Sequence, residues 1–147
     1  MNMDEIEFFV PGIPAPGGSK RGFYNARLKR TMVIEDNQQK NRNWRAAVAL
    51  AASEAMNGHE IFIGPLFVKI TFEMPRPKAH YGARGLKKSA PTWNTNKPDV
   101  TKLIRSTEDA MTAVVWKDDA QIVHSVAVKR YTEFQSGARI RVAHTIP

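Results

Sequence analysis

Residues 97–123 read KPDVTKLIRSTEDAMTAVVWKDDAQIV, and this stretch decides how the whole chain is interpreted. Apolar residues recur at helical spacing after its proline, which predicts an amphipathic helix over residues 98–115. Asp99 falls at the start of that helix, and Asp118 and Asp119 follow its end. Carboxylates at two element ends joined by one helix are an arrangement that can hold a hard divalent cation.

The chain around these acids is basic. Its 147 residues include 22 Lys and Arg against 14 Asp and Glu, which gives a formal net charge of +8. This balance favours a polyanionic partner, most commonly nucleic acid, although a solubilising surface charge is the alternative. Acids concentrated within a basic chain are typical of a metal-dependent nuclease, in which cations hold phosphate and carboxylates hold the metal.

Length and composition indicate one domain over residues 1–147. The chain has no cysteine, which excludes disulfides and thiolate metal sites. Its N-terminus is acidic, and no apolar run approaches membrane-spanning length. We therefore expect a cytoplasmic protein with no membrane partner.

The predicted elements alternate between strands and helices. Strands are expected at 6–10, 31–34, 66–74, 122–128 and 138–146, and helices at 38–56 and 98–115. This order predicts an α/β (α+β) fold, in which two main helices pack on a small mixed β-sheet. Residues 11–22 are expected to form a loop with a basic tip at Lys20 and Arg21.

A second, flexible loop is expected over residues 76–97, which lack apolar periodicity. Tyr81 and Trp93 lie among its basic residues, and aromatic side chains permit stacking on unpaired bases. We predict that this loop contacts DNA; the alternative is an ordinary charged surface. The predicted DNA-binding residues are Lys20, Arg21, Arg76, Lys78, Arg84, Lys87, Lys88, Lys97 and Lys102.

Each candidate metal ligand also has a structural interpretation. Asp is a favoured helix N-cap, so Asp99 alone is more often a cap than a ligand. Asp118 and Asp119 alone are equally compatible with a solvated turn. Asp109 lies ten residues along the helix from Asp99. That spacing corresponds to about 15 Å of helical rise, too far for both to bind one ion.

Two cationic residues lie on the solvent-facing side of the predicted helix. Arg105 and Lys102 either form an ordinary solvated face or place positive charge near a scissile phosphate. The high pKa of arginine excludes proton transfer, so the functional role available to Arg105 is electrostatic. We also expect Arg105 to form an ion pair with Asp109, four residues later.

The segment resembles the RusA family of Holliday-junction resolvases. The resemblance is carried by KPD at 97–99, EDAM at 108–111 and WKDDAQIV at 116–123, and PAPGGSKR at 14–21 is similar to the family's opening. It implies a RusA-like fold and a homodimeric, Mg²⁺-dependent endodeoxyribonuclease, with Mn²⁺ as a substitute ion. Such enzymes resolve four-way DNA junctions by paired symmetric nicks during recombination and repair. Many are encoded by phages or prophages.

The resemblance also assigns roles. The family's first metal-binding Asp falls on Asp99, its late one on Asp119 and the acidic neighbour on Asp118. The family's catalytic lysine falls on Arg105. The family's second Asp falls on Thr101, which brings no negative charge. Asp99, Asp119 and Arg105 are thus the implied catalytic residues, and the candidate ligands are Asp99, Asp119, Asp118 and Thr101.

This departure leaves three alternatives open. Asp118 completes the metal site, a water held by Thr101 completes it, or metal affinity and activity are reduced. The alternative function is therefore a catalytically weak or inactive protein of the same fold that binds branched DNA. A basic assembly factor that binds RNA or protein is a third interpretation. A homodimer suits the interpretation as a junction-resolving nuclease, because a two-fold symmetric protein presents two sites to the two equivalent strands of a junction.

Overall fold

The computed structural model describes residues 3–17, 20–35 and 38–145. Its strands are β1 (Glu5–Pro11), β2 (Lys20–Asn25), β3 (Arg30–Glu35), β4 (Leu66–Pro75), β5 (Tyr81–Gly82), β6 (Gly85–Leu86), β7 (Ile122–Thr132) and β8 (Gly137–His144), and its helices are α1 (Gln38–Met56) and α2 (Val100–Met111). Short 3-10 turns cover Lys78–His80 and Asp119–Gln121. No helix among the described residues is long and apolar enough to cross a membrane.

The main sheet has the strand order β1-β8-β4-β7. β8 pairs antiparallel with both β1 and β4, whereas β4 and β7 are parallel. A parallel pair needs a long crossover connection, and here that crossover contains α2. The predicted α/β (α+β) fold, with a mixed sheet and two helices, is confirmed.

The core lies between the helices and one face of the sheet. Alternate residues of β4 supply that face: Leu66, Val68, Ile70, Phe72 and Met74, all buried as their period of two predicts. The helix α1 packs against β1 and α2, and α2 also contacts β7. The opposite face of β4 carries the exposed Lys69 and the half-buried Glu73.

Two buried hydrogen bonds join the helices. The Asn41 side-chain Nδ2 donates to Ser106 Oγ at 2.9 Å, and Trp44 Nε1 donates to Thr107 Oγ1 at 3.1 Å. All four side chains are buried, and buried polar groups are tolerated where they find partners. These bonds fix how α2 lies against α1, and therefore where Asp99 is placed at the start of α2.

The helix predicted over residues 98–115 is in the right place but too long. α2 ends at Met111, because the chain reverses through Ala113, whose φ is 69°. The Ala113 N–H donates to the Trp116 carbonyl at 2.7 Å. The reversal allows Val115 and Trp116 both to enter the core, where both are fully buried.

Both predicted loops contain strands. Residues 11–22 are not one loop, because Lys20 begins β2, which pairs antiparallel with β3 from Lys20 opposite Glu35. The segment predicted as a flexible loop over 76–97 contains a 3-10 turn and the small β5–β6 hairpin. The hairpin turns through residues 83–84, and Gly85 at the start of β6 has a φ of 97°, which favours glycine.

Candidate functional site

Asp99 occupies the N-cap position of α2 in an extended conformation. Its carboxylate makes no capping hydrogen bond within the described residues, and the residue is exposed. The interpretation of this side chain as a helix cap is therefore wrong. The carboxylate is left facing solvent, where it can meet a ligand.

The segment before Asp99 is held by β7. Lys129 Nζ donates to the carbonyl oxygens of Asn96 at 2.6 Å and Pro98 at 2.7 Å. The Asn96 side chain in turn donates to the Tyr131 hydroxyl at 3.1 Å. Charge-assisted bonds of this kind are stronger than neutral ones, so Lys129 fixes the backbone that leads into α2.

Asp119 lies at the other end of α2. Its Oδ1 accepts hydrogen bonds from Thr112 Oγ1 and, at 2.9 Å, from Trp116 Nε1. Thr112 is the C-cap of α2, and Trp116 is fully buried. The half-buried Asp119 carboxylate is therefore anchored to the C-terminal end of the helix.

Asp118 caps the 3-10 turn that follows. Its Oδ1 accepts from Ala120 N at 2.8 Å, while Gln121 Oε1 accepts from the Asp118 N–H at 3.1 Å. This reciprocal pair is a capping box. The Gln121 side chain also donates to the Phe62 carbonyl at 3.0 Å, which ties the turn to the segment before β4. The role of Asp118 as a metal ligand stays a prediction.

One protomer does not bring Asp99 and Asp119 together. The 12 residues of α2 separate them, a rise of about 18 Å. Their expected proximity within one chain is therefore wrong, because Thr112 and Trp116 hold Asp119 at the C-terminal end of α2, whereas Asp99 lies at its start. Among the described residues, no group of three or more His, Cys, Asp or Glu side chains is placed to hold a metal ion. The described part of a single chain thus presents no cluster of three such ligands.

The Asp119 carboxylate instead interacts electrostatically with two acidic side chains in the last turns of α2, Glu108 and Asp109. Burial, followed by the charges of Asp119 and Asp109, raises the pKa of Glu108 to about 7. Burial also raises the pKa of Asp109, as do the charge of Asp119 and a hydrogen bond to its side chain, whereas Arg45 and then Arg105 oppose the shift. Arg105 thus acts electrostatically on Asp109, but less than Arg45 does. Glu108 is half-buried, which its residue type alone does not predict.

The other candidate residues of α2 lie along its exposed side. Thr101 and Lys102 belong to the first turn, and Arg105 follows one turn further on. Lys102 lines the same cavity as Asp99. Thr101 and Arg105 are close to Asp99 along the chain and far from Asp119.

The basic segment before α2 contains exposed and half-buried residues. Arg76 is half-buried: its guanidinium lies 5.3 Å from the Tyr131 ring centre, and its Nη1 donates to the Pro91 carbonyl at 2.7 Å, so its role as a DNA contact stays a prediction. Tyr81 and Trp93 are exposed, as stacking on bases requires. The exposed predicted cations are Lys78, Arg84, Lys87, Lys88 and Lys97. The side chains of Lys20 and Arg21 lie outside the described part of the chain, although their backbone belongs to β2.

The family model described as "Endodeoxyribonuclease RusA" matches residues 14–143 of this chain. The chain belongs to the RusA family. The match includes both helices, and with them Asp99 and Asp119, so the resemblance seen in residues 97–123 extends over nearly the whole chain. This RusA-family chain is also 30% identical over 134 residues to "Uncharacterized protein YqaN" of Bacillus subtilis (strain 168), across 89% of this chain and 91% of that protein.

Proposed function

We propose that this RusA-family protein is a Mg²⁺-dependent endodeoxyribonuclease that resolves four-way DNA junctions by paired symmetric nicks. The observation that carries the proposal is the exposed Asp99 carboxylate at the start of α2. It is not used as a cap, and two exposed lysines, Lys97 and Lys102, line the same cavity. An oxygen ligand for a hard cation, set among groups that attract phosphate, is what a nuclease needs.

A homodimer is part of the proposal, because one protomer keeps Asp99 and Asp119 apart. Two copies related by a two-fold axis, with their α2 helices antiparallel, would place the Asp99 end of each helix beside the Asp119 end of the other. Both shared sites would form at once. The two-fold symmetry would also match the two equivalent strands of a junction.

The roles proposed for the other residues follow from their places. Arg105 and Lys102 would hold the DNA backbone and stabilise negative charge on the phosphate. The exposed cations Lys78, Arg84, Lys87, Lys88 and Lys97 would bind the junction arms, with Lys20 and Arg21 on β2 as further contacts. A single protomer alone is not expected to bind Mg²⁺ tightly or to cut.

The test is cleavage of a labelled, mobile four-way junction by the purified protein in Mg²⁺, in Mn²⁺ and in EDTA, with a linear duplex of the same sequence as control. We expect paired nicks in the junction that require the metal. Asp99→Asn should abolish cutting while junction binding is retained or becomes tighter, since a negative charge near phosphate is removed. The exposed Asp4 supplies the matched control, Asp4→Asn, which should cut normally. Equal cutting in EDTA, or full activity of Asp99→Asn, would contradict the proposal.

A second candidate function rests on Thr101, which stands where the family has an acid. A site short of one carboxylate can bind branched DNA without cutting it. Selective junction binding by the wild-type protein, with no cleavage at any concentration of either metal, would favour this structural role.

A further inference from the structure

A cavity of about 740 Å³ opens beside Asp99. It lies between the loop after β1, the first half of α1 and the segment that leads into α2. Its floor includes Trp44, Met74 and Tyr131, which are respectively 2%, 4% and 7% exposed. The volume falls within the range of about 300–1,000 Å³ that is usual for small-molecule sites.

The rim of this cavity differs chemically from its floor. Lys40, Lys97 and Lys102 contribute exposed cationic side chains to it, and Asn43 and Asn96 contribute amides. An apolar, aromatic floor suits the flat face of a nucleobase, amides suit the base edge, and cations suit the flanking phosphates. These three preferences combine in one kind of ligand, a nucleotide.

We propose that this cavity binds one unpaired nucleotide of the DNA strand, next to the phosphate that a metal ion at Asp99 would hold. The inference rests on the proposed function, since Asp99 lines the same cavity as the apolar floor. A paired base cannot enter such a pocket, because it must first leave the stack, and unstacking is least costly where pairing is already interrupted. The branch point of a junction is such a place. The pocket would therefore help to select branched DNA over linear duplex.

Photo-crosslinking tests the inference. Junctions carry 5-iododeoxyuridine at the nucleotide flanking the branch point and are irradiated with the protein in EDTA, so that no strand is cut. Mass spectrometry then maps the adducts. We expect adducts on Trp44, Met74 or Tyr131 with the junction and almost none with the matched duplex. Adducts confined to the outer aromatic residues Tyr81 and Trp93 would overturn the pocket.

A variant that fills the cavity, compared with a matched control on the same helix, tests the inference further. Ala47 is half-buried and lines the cavity, whereas its neighbour Ala46 is exposed and does not. Ala47→Phe should lower the pocket adducts roughly tenfold, as loss of a base-stacking site would. Ala46→Phe changes the same helix by the same side chain and should leave the adducts unchanged. Equal adduct yields from both variants would overturn the inference.

A second pair guards against misfolding of Ala47→Phe. Ile13 lines the cavity and is 64% exposed, and Leu50 on α1 is 63% exposed but lies away from it. Ile13→Glu adds a carboxylate at the mouth that repels phosphate, so pocket adducts should fall. Leu50→Glu adds the same charge elsewhere and should leave them intact. Both changes are at the surface, and circular dichroism checks that each variant is folded.

Junction binding, measured on the same samples by gel shift, separates this inference from the function on which it rests. Selective junction binding and metal-dependent cutting without pocket adducts would overturn the nucleotide pocket alone. If the wild-type protein binds the junction no more tightly than the linear duplex, the proposed function would be overturned. Thymidine 5′-monophosphate in excess is a further arm: if the free nucleotide binds as tightly as the junction and abolishes the adducts, the cavity is a site for free nucleotides and not for a DNA strand.

Discussion

The indole N–H of Trp116 donates to Oδ1 of Asp119 at 2.9 Å. Because Trp116 is fully buried, this bond fixes the carboxylate to the body of the protomer at the C-terminal end of α2. Asp99 is fixed at the opposite end of the same helix. Neither residue can approach the other without unfolding α2, so any site that uses both must draw them from two protomers.

Complementation between inactive variants tests this directly. Asp99→Asn and Asp119→Asn should each abolish cutting as homodimers. After subunit exchange, about half of the dimers carry one intact site and one site that lacks both acids, so single-strand nicking should reappear. The measurement is nicking of a labelled junction before and after exchange. As control, Asp99→Asn mixed with the double variant should stay inactive. No recovery in a mixture that has demonstrably exchanged subunits would contradict a shared site.

Lys129 should support cutting more than binding. Lys129→Met removes the bonds to the carbonyls of Asn96 and Pro98, which should lower the free energy of unfolding by about 1–2 kcal/mol. It should also slow cutting at saturating DNA, because Asp99 loses its fixed position, while the junction dissociation constant changes little. Lys69→Met, at an exposed position on β4, is the control for loss of a lysine. A parallel loss of binding and cutting would show that Lys129 acts as a DNA contact.

Thr101→Asp should lower the Mg²⁺ concentration needed for half-maximal cutting, because it restores a carboxylate two residues after Asp99. Stability should not suffer. An acid in the first turn of a helix is favoured by the helix dipole, by about 0.3–1 kcal/mol. The neutral isostere Thr101→Asn controls for size and polarity. An unchanged Mg²⁺ dependence would mean that position 101 lies outside the metal site.

The proposed role of Asp118 as a metal ligand can be separated from its role as a helix cap. Asn is as good an N-cap as Asp, so Asp118→Asn should keep the bond from the Ala120 N–H while removing the charge. Because this carboxylate is already used in the capping box, we expect nearly normal cutting by Asp118→Asn. Asp118→Ala should lower the free energy of unfolding by about 1 kcal/mol, through loss of the cap. Severe loss of cutting by Asp118→Asn with normal stability would instead make Asp118 a metal ligand.

Local pattern predicted the elements but not the distances between them. The alternation in β4 and the helical spacing in α1 are properties of neighbouring residues, and the strand and the helix predicted there are confirmed. The end of α2 depends on where Trp116 is buried, which is a property of the whole core. The separation of Asp99 from Asp119 depends on the direction that the chain takes after the helix, which no periodicity encodes.

The candidate site, too, could be predicted from the sequence only in part. The carboxylates and most exposed cations could be found from residue type and resemblance. The cavity could not, because its lining comes from the loop after β1, α1, the end of β4, residues 94–99, α2 and β7, which share no sequence pattern. Arg76 was predicted as a DNA contact from charge alone, but its packing on Tyr131 is visible only in the fold.

Neutralising Lys87 and Lys88, which directly follow β6, should weaken binding to every DNA form. Lys87→Ala with Lys88→Ala removes two exposed cations, and each lost phosphate contact lowers the slope of log affinity against log salt by about 0.9. The measurement is junction and duplex affinity across a salt series. Lys69→Ala, on the open face of the sheet, should leave the slope unchanged. An unchanged slope in the double variant would make these lysines an ordinary solvated surface.

Glu108 should make the metal-free protein less stable as pH rises. Its pKa is raised from 4.5 to about 7, chiefly by burial and then by the charges of Asp119 and Asp109, so the folded state holds a proton that the unfolded state releases. Stability should therefore fall as pH increases from 4.5 to 7, and stay lower above that range. Glu108→Gln should flatten the curve and exceed the wild type at pH 8 by about 1 kcal/mol, a figure reduced for solvent screening. Denaturant unfolding in EDTA at pH 4.5 and pH 8 measures both, with Glu54→Gln on the exposed side of α1 as control. Equal pH dependence of Glu108→Gln and the wild type would show that the Glu108 carboxyl ionises as an exposed acid does.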